Sequence, residues 1–207
     1  MINLRKEPEI SAVTIIENLY LCSACEGLLS SAGGLEMDEM RMRDDDYKTL
    51  AKLEEAFERK DLSYFKSFLQ NSKGLPLLLR VHSVCMLEHI GSEEMVESLC
   101  VVLAEDASPL TRHEAAFTMG QLGYRSAVPA LVEAMLHDES PIVRHESAVA
   151  LSSIGDDEVV PDLKKAIEDE DEDVRNSALI AFEYLGYIRR KRESAADKFA
   201  VKPKIRL

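Results

Sequence analysis

The sequence predicts an all-α protein, a solenoid of stacked helical hairpins, and three observations carry that prediction. The first is an internal period. Four segments start on an Arg and end on a Gly eleven residues later, at 80–91, 112–123, 144–155 and 175–186, with offsets of 32, 32 and 31. The second is a further apolar stretch between each Gly and the next Arg, at 95–103, 127–136 and 159–167, so each period holds two helices. The third is composition: apolar residues reach 46% of 207, aromatics only 6%, and there is no Trp. Abundant Ala, Leu, Glu and Lys with few Gly favour helix over sheet.

The elements follow in chain order. Residues 10–29 read as an apolar helix carrying Val13, Ile16, Leu19, Leu21 and Leu28. A face that rich caps the array or meets another chain. Residues 37–46 are acidic and Met-rich and read as a linker. The expected division is therefore a helical segment and linker over 1–46, the repeat array over 47–186 and a basic tail over 187–207. A helix is expected over 46–59, and 61–70 with 75–91 forms the first hairpin.

Within a unit the inner helix carries Ala115, Ala116, Met119 and Leu122 on one face, and the outer helix carries Val128, Leu131, Val132 and Met135. Ser108 and Ser140 precede Pro109 and Pro141, as an N-cap precedes a first-turn proline. Pro129 and Pro161 suit the first turn of outer helices, and Gly123, Gly155 and Gly186 stand where helices should stop. Arg112 and Arg144 are expected to pair with Asp106 and Asp138 of the preceding turns. One hairpin cannot bury its own apolar face; a stack can.

Net charge is -13, unevenly spread: the tail 187–207 holds eight Lys or Arg against two acids, so residues 1–186 carry -19. An acidic body disfavours general nucleic-acid binding and attracts a basic protein segment. The tail, beginning Arg189-Arg190-Lys191-Arg192, is the one part suited to nucleic acid, though a basic terminus is more often only solvated. No apolar run reaches the roughly 18 residues of a membrane helix, and the start lacks signal-peptide anatomy, so the expectation is a cytoplasmic protein. Cys22 and Cys25 form a Cys-x-x-Cys with no second close pair, since Cys85 and Cys100 stand apart. At helical spacing among apolar residues they read as core packing.

What the scaffold does not require is a repeated dipeptide. His113-Glu114 and His145-Glu146 each follow the unit's Arg, 32 residues apart, whereas the flanking units read Arg80-Val81-His82 and Arg175-Asn176-Ser177. Two imidazoles on neighbouring inner helices, roughly 8–10 Å apart, can meet on one metal ion. The glutamates, rotated about 100° around the same helices, then face a second ion, a partner or a substrate. His with carboxylate suits non-haem Fe(II). The spacing is not His-Glu-x-x-His, so a zinc protease is not indicated. His82, His89 and His137 are read as structural or solvated, and Tyr124 as a side chain with no fixed role.

The whole pattern resembles HEAT repeats, especially the short HEAT-like units of the phycobilisome-lyase type. The paired Arg-His-Glu with Leu-Gly and Ile-Gly endings further resembles the deoxyhypusine hydroxylase family, HEAT-repeat di-iron monooxygenases. Gly120-Gln121-Leu122-Gly123 and Gly155-Asp156-Asp157-Glu158-Val159 add to the likeness. The resemblance implies an oxidoreductase that uses Fe(2+), a pair of ions per dimer, and hydroxylates a deoxyhypusine side chain on a protein of the initiation factor 5A type. It implies His113, Glu114, His145 and Glu146 as the metal-site residues, with Glu114 crossing to a partner's iron and Glu146 standing behind the ligands or facing the substrate. The family carries two such pairs of motifs and this chain one, so the expectation is a homodimer that completes the site. The alternative is a HEAT-repeat interaction scaffold without chemistry, binding a basic partner on an acidic surface.

Overall fold

The two-helix period folds as two layers. A computed structural model describes residues 42–199, with side chains through residue 194; the expected helix at 10–29 and the pair Cys22 and Cys25 lie outside the described residues. The helices are α1 (Asp44–Glu58), α2 (Leu62–Gln70), α3 (Leu77–Ile90), α4 (Val96–Glu105), α5 (Pro109–Leu122), α6 (Val128–His137), α7 (Pro141–Ile154), α8 (Val160–Ala166) and α9 (Glu172–Phe199). Single 3-10 turns, Glu93–Met95, Arg125–Ala127 and Asp157–Val159, lead into α4, α6 and α8. The odd-numbered helices α3, α5, α7 and α9 stack in one layer, and α4, α6 and α8 in the other. α1 packs on α2 and α3 at the first end.

The core lies between the layers. Leu99, Met119, Leu131, Met135, Leu151, Leu163 and Leu185 are fully enclosed there, drawn alternately from inner and outer helices. Each such aliphatic side chain contributes about 1.5–3 kcal/mol of burial. No described helix is long and apolar enough to cross a membrane.

Helix ends follow local chemistry. Gly91, Gly123 and Gly155 adopt left-handed backbone (φ 71°, 72° and 75°) and close α3, α5 and α7. Gly186 does not. α9 runs through it to Phe199, so the boundary expected after residue 186 is no break. Good helix formers follow, Ile188 continues the apolar stripe, Arg189 pairs with Glu193, and Arg192 reaches Asp157 at 3.6 Å. A mid-helix glycine costs only about 1 kcal/mol, which those contacts offset. The acidic end of the expected linker also joins a helix, because Asp44, Asp45 and Asp46 form the first turn of α1, where the helix dipole favours them.

Ser108 and Ser140 hold the N-cap positions, but their hydroxyls do not cap. Their backbone N–H groups donate instead to Asp106 and Asp138, each at 2.8 Å.

Candidate functional site

The first turns of α5 and α7 are fixed by an arginine ladder. Arg112 donates through Nη1 to the Asp106 carbonyl (2.8 Å) and through Nε and Nη2 to the Asp138 carboxylate (2.8 and 2.9 Å). Arg144 repeats this one unit on, with the Asp138 carbonyl at 2.9 Å and the Asp169 carboxylate at 2.8 and 3.0 Å. Arg80 likewise pairs with Asp106. The arginines therefore take their carboxylates from the following turn, not from the preceding one as the sequence suggested. The preceding aspartate already accepts the N–H of its own Ser and offers Arg only its carbonyl. Each buried two-pronged bond ties one unit to the next and fixes the axial shift between neighbouring inner helices.

That shift decides what His113 meets. Its ring is buried between Glu114 of α5 and Glu146 of α7, with Nδ1 3.4 Å from the first carboxylate and Nε2 3.4 Å from the second. All three side chains are more than nine-tenths buried. The contacts are ionic; neither ring nitrogen makes a hydrogen bond. Burial alone would depress the pKa of His113, but Glu114 and Glu146 on its two sides push it up to about 9. The ring is thus a buried imidazolium held between two carboxylates. Cys85 extends the group, its thiol Sγ lying 3.7 Å from Glu114 Oε2.

His145 stands apart from that cluster. Its Nδ1 is hydrogen-bonded to Ser177 Oγ at 2.7 Å and lies 3.5 Å from the Asp173 carbonyl, both on α9. The expectation that His113 and His145 meet each other is therefore corrected. Each histidine instead faces the residue two after the Arg in the next unit, which is Glu146 for His113 and Ser177 for His145. Likewise, Glu114 and Glu146 do not turn away toward a second ion; they flank His113. Among the described residues, no three His, Cys, Asp or Glu side chains are arranged around one point to hold a metal ion. The carboxylates lie against different nitrogens of one ring, so the donors oppose each other instead of converging.

In kind, though not in arrangement, the donors match a divalent iron. One imidazole without hydrogen bonds and two buried carboxylates are N and O ligands of the type Fe(II) takes.

His82, read from the sequence as structural or solvated, occupies the position of Glu114 and Glu146, two after Arg80. It is buried, neither ring nitrogen has a hydrogen bond, and burial pushes its pKa down to about 4. Counting from the Arg would have placed it in the polar column with Glu114, Glu146 and Ser177. His89 and His137 are exposed, as expected for solvated residues. Tyr124 has a fixed role after all: its hydroxyl donates to the Gly91 carbonyl at 3.0 Å, joining successive turns. A surface groove lies near the first end, lined by Lys73, Leu75, Val101 and Glu105 among others. None of the His-Glu residues lines it.

Stacked two-helix units, glycine-closed inner helices and an Arg–Asp ladder define a HEAT-repeat protein. The chain belongs to the HEAT-repeat family, whose model matches residues 79–183. Among solved structures it is similar to human deoxyhypusine hydroxylase in complex with glycerol, at 31% identity and a TM-score of 0.55, over 60% of this chain. The match takes in 43% of the hydroxylase, so this chain spans less than half of that protein. A phycocyanin lyase complex from a Nostoc species aligns at 19% identity and a TM-score of 0.41, over 57% of this chain and 64% of the other. No curated protein sequence matches the chain.

Proposed function

We propose that this chain is a metal-dependent oxygenase subunit related to deoxyhypusine hydroxylase, with His113, Glu114 and Glu146 as the core of its iron site. The carrying observation is the buried His113 ring with a buried carboxylate 3.4 Å from each of its nitrogens. A HEAT stack has no need of it, and burying three ionisable groups is costly unless they serve a purpose. The 31% identity to the human hydroxylase supports the reading.

Two carboxylates that hold a proton on His113 can hold a divalent cation in its place. Metal binding would then release that proton, as ligand binding by imidazole requires. Glu114 and Glu146 would supply oxygen donors and His113 the nitrogen once the side chains turn toward one point, since the carboxylates now lie against opposite ring nitrogens. His145, oriented by Ser177, supplies the second imidazole. Bound iron with dioxygen supplies the oxidising power to hydroxylate a C–H bond. The -19 carried by residues 1–186 attracts a cationic, lysine-derived side chain, deoxyhypusine on a translation-factor protein in this reading. A second copy of the chain supplies the other half of a two-ion site.

The decisive experiment measures iron per chain after anaerobic Fe(II) loading, in the wild type and in His113→Ala, with a mass-shift assay on a deoxyhypusine-bearing substrate. About one iron per chain, lost in the variant, and a gain of one oxygen on the substrate are expected. An iron-free wild type would sink the enzymatic reading.

One observation favours a second reading. His145 is already hydrogen-bonded to Ser177, which satisfies Nδ1 without a metal. On that reading the chain is a scaffold for a basic segment. Calorimetric binding of Lys-rich peptides by iron-free protein, unchanged in His113→Ala, would support it.

A further inference from the structure

Every inner helix except the last is covered on its leading face by the next one. The position four residues after the Arg shows the difference: Val84, Ala116 and Ala148 are fully buried, but Leu179 is 46% exposed. One residue on, Phe117 is half-buried and Ile180 is 69% exposed. Tyr187, further along the same face, is also exposed. Val149, at the same position of α7, is 38% exposed, so the contrast is complete at Leu179 and one of degree at Ile180. Among the described residues no helix covers this apolar face of α9. It continues for 28 residues, well past the 14 of α5 and α7, so the strip is longer than any other inner helix would need.

Charge along α9 is polarised. Glu172 and Asp173 begin it, and Arg189, Arg190, Lys191 and Arg192 follow the strip. Lys191 Nζ lies 5.4 Å from the Tyr187 ring, at the basic edge.

We infer that the exposed strip of α9 is a self-association surface, covered by the same helix of a second copy running antiparallel about a two-fold axis. Antiparallel pairing sets the acidic start of each helix against the basic stretch of the other, with Leu179, Ile180 and Tyr187 buried between them. It also opposes the two helix dipoles favourably. Parallel pairing would put like charge on like. Residues 10–29, the other apolar candidate, carry Glu17 and Glu26 and no Lys or Arg. That segment could complement only the basic end, whereas a second α9 complements both ends at once. The surface names where the homodimer invoked above forms, and its grounds are independent of any metal.

Analytical ultracentrifugation of the full chain in chelator tests this, with wild type, Ile180→Glu and Leu179→Glu, and circular dichroism melting to verify folding. The wild type is expected to dimerise in the micromolar range, and each variant to weaken dimerisation by at least about tenfold. Asp173→Lys should weaken it too, and adding Lys191→Glu should restore it. A wild type that stays monomeric at high micromolar concentration overturns the inference. So does a dimer indifferent to both apolar variants in folded protein. Iron uptake by the same proteins, freed of chelator and loaded with Fe(II) anaerobically, separates the proposals: a dimer that takes up no iron keeps this surface and removes the metal reading, and an iron-binding monomer does the opposite.

Discussion

The imidazole of His113 lies between Glu114 on its own helix and Glu146 on the next, each carboxylate 3.4 Å from a different ring nitrogen. The arrangement makes the folded state hold a proton that the unfolded chain releases near pH 6.5. With a folded pKa of about 9, the contribution is fully present below pH 6.5 and is lost as pH rises through 9. Its full size is on the order of 3 kcal/mol. Urea midpoints of iron-free wild type should therefore fall between pH 7 and 10, and Glu146→Gln should shift that fall to lower pH. Identical pH profiles for the two proteins would refute the assignment.

The opposite sign is expected at His82. Its folded pKa, about 4, lies below the ordinary value, so the neutral ring supports folding above pH 6.5 and that support is lost as pH falls through 4. At pH 5 the loss is about 2 kcal/mol. His82→Leu should narrow the difference in stability between pH 8 and pH 5 by that amount. Thermal melts at the two pH values decide it, and an unchanged difference would show that the ring is solvated.

Gly120 marks the closest approach of α5 and α7. A Cβ there would stand 2.8 Å from the Ala150 Cα and 2.9 Å from its Cβ, backbone that cannot swing away. Overpacking of this kind costs about 1–3 kcal/mol, against a gain of about 1 kcal/mol in helix propensity. Gly120→Ala should lower stability by up to about 2 kcal/mol in denaturant unfolding, although alanine is the better helix former. A stabilised variant would mean that the two helices are free to part.

The Asp138 carboxylate serves two partners, Arg112 of the previous unit and the backbone N–H of Ser140. Asp138→Ala leaves the buried guanidinium only the exposed Glu139 carboxylate at 3.3 Å and should cost up to about 3–5 kcal/mol. Asp162→Ala removes a partner from the exposed Lys165 and should cost about 0–1 kcal/mol. Comparing the two by urea unfolding checks that the ladder holds the stack. Equal small losses would place the inter-unit register elsewhere.

Much of the architecture was legible in one dimension. The Arg-to-Gly period announced four units, apolar spacing named the inner and outer faces, and Gly91, Gly123 and Gly155 marked helix ends, because solvent and backbone sterics act on each residue locally. The His-Glu dipeptides were visible for the same reason: the repeat supplies two neighbours without them. Local signals failed where a later residue overrode them. Gly186 reads as a stop, but Ile188 and the charged pairs beyond it carry α9 onward.

What the sequence by itself determined is which residues face inward and which two units carry ionisable chemistry, since periodicity depends only on the 3.6-residue turn. Only the tertiary structure decided who meets whom. The sliding of one inner helix against the next is set by the Arg112 fork to Asp138 and by the contact at Gly120 and Ala150. That shift places His113 against Glu146 instead of His145, sends His145 to Ser177, and brings His82 into the buried polar column. No single helix encodes it, because an axial offset is a property of two surfaces in contact.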